Sequence, residues 1–312
     1  MPSLPPLRTG KPRRERGVFR IDAELELPFG IVEGAKDGPC LLVTSGIHGA
    51  EYCSIEAAQR LLGTDPARLS GTLLVLPIVS LASFWKRSIY LMPQDGKNLN
   101  RMFPGRAGGS ASERLAHWLV TEAFSKADAY VDLHGGDLNE ALVPFSLFRE
   151  GDGRSEALGR CFGLPILIAS SQEGFAVAAA SMRGVPAIIA EVSGNGLWDG
   201  ATVGRLSDGL ARVMHRLGMI EEAPKPAPRL SLMTLTFVAS PAQGLWYPNQ
   251  RIGAEVAKGQ CVGEIRNLVG EHEAVIAAPL TGRVLFQMTS LATNEGEALL
   301  GIGAKARHQS AR

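Results

Sequence analysis

Apolar and polar positions alternate with a period near two over residues 18–33, where Val18, Phe19, Ile21, Leu25, Leu27, Ile31 and Val32 carry the apolar phase. That is the pattern of strands with one buried face. From Cys40 onward the pattern changes to short continuous apolar runs separated by stretches with helical spacing. The runs at 40–45, 73–79, 129–133, 143–148 and 186–190 predict buried strands, and the stretches 51–62, 112–126, 154–162, 177–183 and 202–217 predict helices. Strands that are apolar throughout need cover on both faces. The prediction is therefore an α/β fold: three layers, with a mostly parallel or mixed sheet between helices.

The pattern breaks at 221–228, a proline-rich, charged stretch with the composition of a linker. Beyond it, short strand-like segments at 232–238, 259–265, 274–276 and 282–286 are punctuated by glycine, and no helical stretch is evident to residue 304. A small all-β barrel or sandwich domain is expected there. The chain is thus divided into a mobile basic arm (1–17), a main α/β domain (18–220), a linker (221–230), a C-terminal β domain (231–304) and a frayed tail (305–312).

Composition narrows the function classes. A chain of 312 residues with 45% hydrophobic content can bury a full core and more than one domain. A net charge of +1 gives no case for nucleic-acid or membrane binding. Cys40, Cys53, Cys161 and Cys261 are far apart with no C-x-x-C pair, which reads as reduced thiols in a cytoplasmic protein. No apolar run is long enough to span a bilayer, and the N-terminus lacks the apolar stretch of a secretory signal.

The chemistry gathers after the predicted strands. His48 and Glu51 lie in Gly46-Ile47-His48-Gly49-Ala50-Glu51, directly after the strand at 40–45. His134 follows the strand at 129–133, and Glu191 follows the strand at 186–190. Functional residues of such sheets collect at the carboxyl ends of strands. Two histidines and a glutamate form a known ligand set for catalytic zinc, with one position left for water. Each histidine alone has an ordinary reading, as a loop residue or a strand-end residue bonded to a carbonyl; their common placement favours one shared site. Glu191 is the candidate general base, since a carboxylate after a buried strand needs a partner or a task. The polar loop 95–105 offers Asn100 and Arg101, and a guanidinium forks bidentately onto a carboxylate. Arg101 as a brace of its own loop is the structural alternative. Asp132 is placed either to orient His134 or to serve a purely structural role.

These residues resemble the succinylglutamate desuccinylase/aspartoacylase family of the zinc carboxypeptidase superfamily. The resemblance rests on Gly46–Glu51, on Asn98-Leu99-Asn100-Arg101-Met102-Phe103-Pro104-Gly105, on Asp132-Leu133-His134-Gly135-Gly136 and on Glu191. It implies that His48, Glu51 and His134 bind one zinc ion per chain, that Glu191 is general base and acid, and that Asn100 and Arg101 hold a substrate carboxylate. It also implies an upstream arginine that polarises the scissile carbonyl. The family pattern carries that arginine where this chain has Ile89, so Arg87 is the arginine available, with Lys86 beside it. The C-terminal region, through Lys258-Gly259-Gln260 and Ala278-Pro279-Leu280-Thr281-Gly282, resembles a lipoyl-like barrel-sandwich without an attachment lysine. The implied activity is a zinc-dependent deacylase that cleaves the amide of a small acylated amino acid by metal-activated water. The alternative within the superfamily is a metallocarboxypeptidase on short peptides. The sequence leaves open whether the chain forms a homo-oligomer.

Overall fold

The computed structural model describes residues 2–306. Its elements run β1 (Arg13–Arg20), β2 (Glu26–Glu33), β3 (Lys36–Ser45), α1 (Tyr52–Leu61), β4 (Ser70–Leu76), α2 (Leu81–Lys86), α3 (Ala111–Trp118), β5 (Ala129–Gly135), β6 (Glu140–Leu142), β7 (Phe145–Arg149), α4 (Gly153–Phe162), β8 (Ile166–Ser170), α5 (Ala176–Ser181), β9 (Ala187–Val192) and α6 (Gly200–Arg216). There follow β10 (Ser231–Ala239), β11 (Gly244–Pro248), β12 (Glu255–Val256), β13 (Cys261–Arg266), β14 (His272–Ala277), β15 (Gly282–Met288), β16 (Ala292–Thr293) and β17 (Ala298–Lys305).

The large sheet is mixed, with the order β1-β2-β4-β3-β5-β9-β7-β8-β10-β17-β15-β12. Its centre, β4-β3-β5-β9, is parallel. The apolar runs behave as their pattern demands: Leu41 and Val43 of β3 enter one core and Leu42 the other. One core takes α1, α4 and α6 through Ala57, Ala58, Leu158, Phe162, Leu206 and Leu210. The opposite core takes α3 and α5 through Leu115, Trp118, Val177 and Ala180. Each of the larger side chains among these, such as Leu158, Phe162 and Leu206, contributes about 1.5–3 kcal/mol by leaving water. The sheet stays rigid enough to fix the ends of β3, β5 and β9 side by side.

Several expectations need correction. The segment 1–17 is not a mobile arm: Arg13–Arg20 pairs antiparallel with β2 along its whole length, and Leu4 is buried. The 112–126 helix begins at Ala111 but is α-helical only to Trp118, then continues as a π-turn over Leu119–Ala123 and a 3-10 turn over Phe124–Lys126. The strand expected at 143–148 is β7, over Phe145–Arg149, and the short strand β6 before it, Glu140–Leu142, was not read from the sequence. The short apolar run that forms β8 and the short helix α2 were not read from the sequence.

The C-terminal region is all-β, as expected, with its own buried cluster around Trp246, Val262, Ile265 and Leu299. It is not a separate body on a linker. β10 pairs parallel with β8, so the main sheet runs on into β17 and β15. β6 also pairs with β15. The tail expected at 305–312 starts inside β17 at Lys305, and residues 307–312 lie outside the described residues. Among the described residues, no helix is long and apolar enough to cross a membrane.

Candidate metal centre

β3 ends at Ser45 and the chain turns at once. Gly46 takes φ +62°, the left-handed region that favours glycine. Gly49 packs so closely that an added Cβ would sit 2.1 Å from the backbone N of Phe84 in α2. The turn therefore has room for no other residue there. Glu51 occupies the N-cap position of α1, yet its side chain makes no capping bond. It turns inward to the histidines instead.

The Glu51 carboxylate lies between both rings: Oε1 is 2.7 Å from His48 Nδ1 and Oε2 is 3.0 Å from His134 Nδ1. Oε2 also accepts the Gly135 N–H at 3.1 Å. One donor atom from each of His48, Glu51 and His134 lies within 4.8 Å of the others, and all three residues are buried. Each histidine has its far nitrogen held. His134 Nε2 is 3.0 Å from Asp132 Oδ2, and His48 Nε2 is 3.1 Å from Asn98 Oδ1. Asp132 is in turn fixed by the Thr44 hydroxyl at 2.6 Å, across the register that pairs Thr44 with Asp132. Burial alone would push Glu51 up, but the charges of His134 and His48 hold its carboxyl well below the usual range. Burial opposes charge on His134, yet Glu51 and Asp132 drive its pKa well above that of a free imidazole.

This donor set fits a divalent ion. Three buried donor atoms converge, both Nδ1 atoms face inward, and each Nε2 has an oxygen acceptor that fixes the tautomer a ligand histidine needs. A metal-free core would place a carboxylate and two imidazoles together with no apolar advantage.

Glu191 joins the group from β9, where it pairs in register with His134 of β5. Its Oε1 is 4.0 Å from His134 Nδ1. Burial raises its pKa well above the carboxylate range; His134 opposes this, and Glu51, Glu140 and Asp132 reinforce it. A carboxyl so placed suits proton transfer.

The loop 95–105 is divided in its duties. Asn98 caps the 3-10 turn Leu99–Arg101 by accepting the Asn100 N–H at 2.9 Å, with the same oxygen that faces His48. Asn100 is buried and its Oδ1 accepts the Ala176 N–H at the start of α5, at 2.9 Å. Among the described residues, its side-chain NH2 has no hydrogen-bond acceptor. Arg101 rests its guanidinium 4.4 Å from the centre of the Phe175 ring and donates to the Asn100 carbonyl at 2.9 Å. Desolvation pulls its pKa down while the Glu191 carboxylate supports its charge, so the two groups sense one another. The structure does not bring Arg87 to the cluster: it is exposed, caps α2 at φ 52°, and none of its side-chain atoms is bonded among the described residues. Lys86 is exposed as well.

The group that reaches the cluster from this segment is Tyr90, which sequence reasoning passed over. Its ring stands edge-on to that of His48, with centroids 5.8 Å apart. Its N–H donates to Asp137 Oδ2 at 3.0 Å, and its hydroxyl donates to Glu140. Asp137 and Glu140 are both buried. Burial, with Glu51 and Asp137 adding to it, pushes Glu140 up to about 7 despite the bonds it accepts from Tyr90 and Asp137. The sequence signal for these residues is faint: two acidic residues in a short polar stretch after His134.

Two surface cavities, of about 210 and 380 Å3, are lined by none of these residues.

Comparison with known proteins follows the same lines. The family described as Succinylglutamate desuccinylase/Aspartoacylase catalytic domain matches residues 37–217. An N-alpha-acetyl-L-2,4-diaminobutyric acid deacetylase of Halomonas elongata is 26% identical over 278 residues, covering 81% of this chain and 80% of that protein. A succinylglutamate desuccinylase/aspartoacylase from Rhodobacter sphaeroides superposes with a TM-score of 0.85 at 25% identity, over 94% of this chain and 96% of its own. The ectoine utilization protein EutE (DoeB) of Ruegeria pomeroyi, in a product-bound structure, has the same fold at a TM-score of 0.87 and 23% identity, over 96% and 97%. The matched span contains all of the converging residues and the strands that carry them, and on that ground the chain belongs to the succinylglutamate desuccinylase/aspartoacylase family.

Proposed function

We propose that this chain is a metal-dependent amidohydrolase that removes the N-acyl group from a small acylated amino acid, with one zinc ion held by His48, Glu51 and His134. The observation that carries this reading is the convergence of three buried donor atoms within 4.8 Å, beside a second buried carboxylate, Glu191. A divalent ion in such a donor set supplies Lewis acidity, polarising the acyl carbonyl and acidifying water. Asn98 and Asp132 hold the far nitrogens of the histidines, so that both Nδ1 lone pairs stay directed inward. Glu191 takes the proton from the attacking water and delivers it to the amide nitrogen as the C–N bond breaks. Arg101 receives the α-carboxylate of the substrate, with the free amide of Asn100 next to it. Arg87 has no part in this arrangement, since its side chain stands in solvent.

Small substrates are favoured by the closeness of the C-terminal region. Thr289 donates its N–H to the Asn139 carbonyl at 2.7 Å, and Met288 pairs with Glu140, so that region borders the turn that carries Glu140. The deacetylase activity named for the Halomonas elongata relative points the same way.

The test is metal analysis of the purified protein, together with hydrolysis of N-acetyl, N-formyl and N-succinyl amino acids and of short peptides. About one zinc per chain and turnover of acyl amino acids are expected. Protein that folds without metal and binds none would refute the proposal. Cleavage of peptides alone would establish the metallocarboxypeptidase reading in its place.

A further inference from the structure

Arg101 forms no ion pair among the described residues, and its one side-chain hydrogen bond there runs from Nη1 to the Asn100 carbonyl at 2.9 Å. A guanidinium has five N–H donors, so most of the fork stands free for a ligand. A long side chain held by one bond is poorly fixed, because its lost rotamer freedom costs about as much as the bond returns. Phe175 supplies the other contact. The guanidinium carbon lies over the Phe175 ring, 4.4 Å from its centre. That ring is only 8% exposed and belongs to the core that takes α3 and α5. An aromatic face attracts a cation without using any of its N–H groups. A carboxylate in its place would occupy the fork and compete with an incoming carboxylate. The turn that carries Phe175 is tied to the loop that carries Arg101 at three further points. Asn100 Oδ1 accepts the Ala176 N–H at 2.9 Å, and Phe103 donates its N–H to the Gly174 carbonyl at 3.2 Å. Gly174, at φ +84°, packs so closely that an added Cβ would lie 2.7 Å from the Arg101 carbonyl oxygen.

We infer, resting on the function proposed above, that Phe175 is a positioning residue for substrate binding: its ring, carried on the turn through Gly174 and Ala176, holds the Arg101 guanidinium where the substrate carboxylate docks. The core anchors the ring, the ring anchors the cation, and the N–H groups of the cation remain for the substrate. Phe175 acts through Arg101 and moves no proton. Its loss therefore weakens a contact made equally to the bound substrate and to the transition state, which appears in KM and not in kcat. A ring that merely filled the core would show no such preference for KM.

The experiment sets two variants beside the unaltered, metal-loaded chain, with N-acetyl-alanine as substrate. Phe175→Leu fills much of the same space without an aromatic face, and Phe175→Tyr keeps the face. Phe175→Leu should raise KM by about tenfold, the size of a partly desolvated cation–π contact, with kcat within about twofold. Phe175→Tyr should restore KM. Gly174→Ala, which drives the turn off the Arg101 backbone, should reproduce the rise in KM and takes the place of Phe175→Leu if that variant does not fold. Binding of N-acetyl-alanine to Glu191→Gln, with and without Phe175→Leu, reads the same loss by calorimetry without turnover. An unchanged KM, an equal rise in Phe175→Leu and Phe175→Tyr, or a loss confined to kcat overturns the inference and leaves the amidohydrolase reading standing. If the unaltered chain turns over no acyl amino acid, it is that reading that fails, and the role of Phe175 falls with it.

Discussion

His134 has a carboxylate on each ring nitrogen, Glu51 at Nδ1 and Asp132 at Nε2, both at 3.0 Å. That arrangement assigns separate tasks to two residues that look alike in sequence. Asp132→Asn keeps the shape of the outer partner and removes its charge, and on the proposed function should weaken metal binding by about 10–100-fold, measured by competition with a chelator. On the proposed function, Glu191→Gln should bind metal as the unaltered chain does and lose about 10²–10⁴ in kcat, measured by metal analysis beside turnover. The pH dependence of the two proteins should differ in sign-defined fashion. Burial raises the Glu191 pKa, so the base is protonated at low pH and the rate rises as pH climbs through that value; the residual rate of Glu191→Gln should lack that limb. At this scale the sequence was highly legible: His48, Glu51, His134 and Glu191 were all placed by their positions after strands. Tyr90, Asp137 and Glu140 were not, because each reaches the site only through a turn whose path depends on contacts remote in sequence. Arg87 was misplaced for the same reason, its neighbour Tyr90 being the side chain that enters.

At the scale of elements, the N-terminal segment shows how one buried acid can order a strand. Glu33 of β2 accepts the Thr9 N–H at 2.6 Å, the Thr9 hydroxyl at 2.8 Å, the Gly10 N–H at 2.8 Å and Arg13 Nε at 2.9 Å. Arg14 and Arg16 of β1 extend this by donating to the carbonyls of Thr64, Gly63 and Leu62 beyond α1. Burial would raise the Glu33 pKa, but these bonds outweigh it and hold it at about 2. A carboxyl depressed in the folded state stabilises above its unfolded pKa, and that contribution fades as pH falls through about 2. Glu33→Gln should therefore destabilise the protein by about 1.5–3 kcal/mol at neutral pH, the range for a bond to a charged acceptor. Limited proteolysis should then cut within residues 2–12, and the stability difference from the unaltered chain should shrink in acid. The basic residues of this segment read as a solvated arm from composition; only the buried acid waiting on β2 makes them part of the sheet.

For the molecule as a whole, the sheet crosses the boundary that composition marks at 221–230. β10 pairs with β8, and β15 pairs with β6 next to Glu140. A chain ending at residue 230 would expose the β8 edge, and unpaired edges invite association. It should be insoluble or aggregated by light scattering, with no turnover, whereas two independent domains would leave a soluble catalytic fragment. Because the sheet is continuous across this boundary, the two parts should unfold together by calorimetry and not in two separate transitions.

The sequence by itself determined the layer architecture, because strand and helix periods and the apolar runs admit little else, and it pointed to His48, Glu51, His134 and Glu191 as one group, because each lies where a strand ends. Tertiary structure alone decided the rest. The N-terminal strand, the joining of the C-terminal region to the main sheet and the approach of Tyr90, Asp137 and Glu140 all depend on pairing between residues far apart in the chain. Such pairings leave no local pattern, since what stabilises them is a partner supplied by another element.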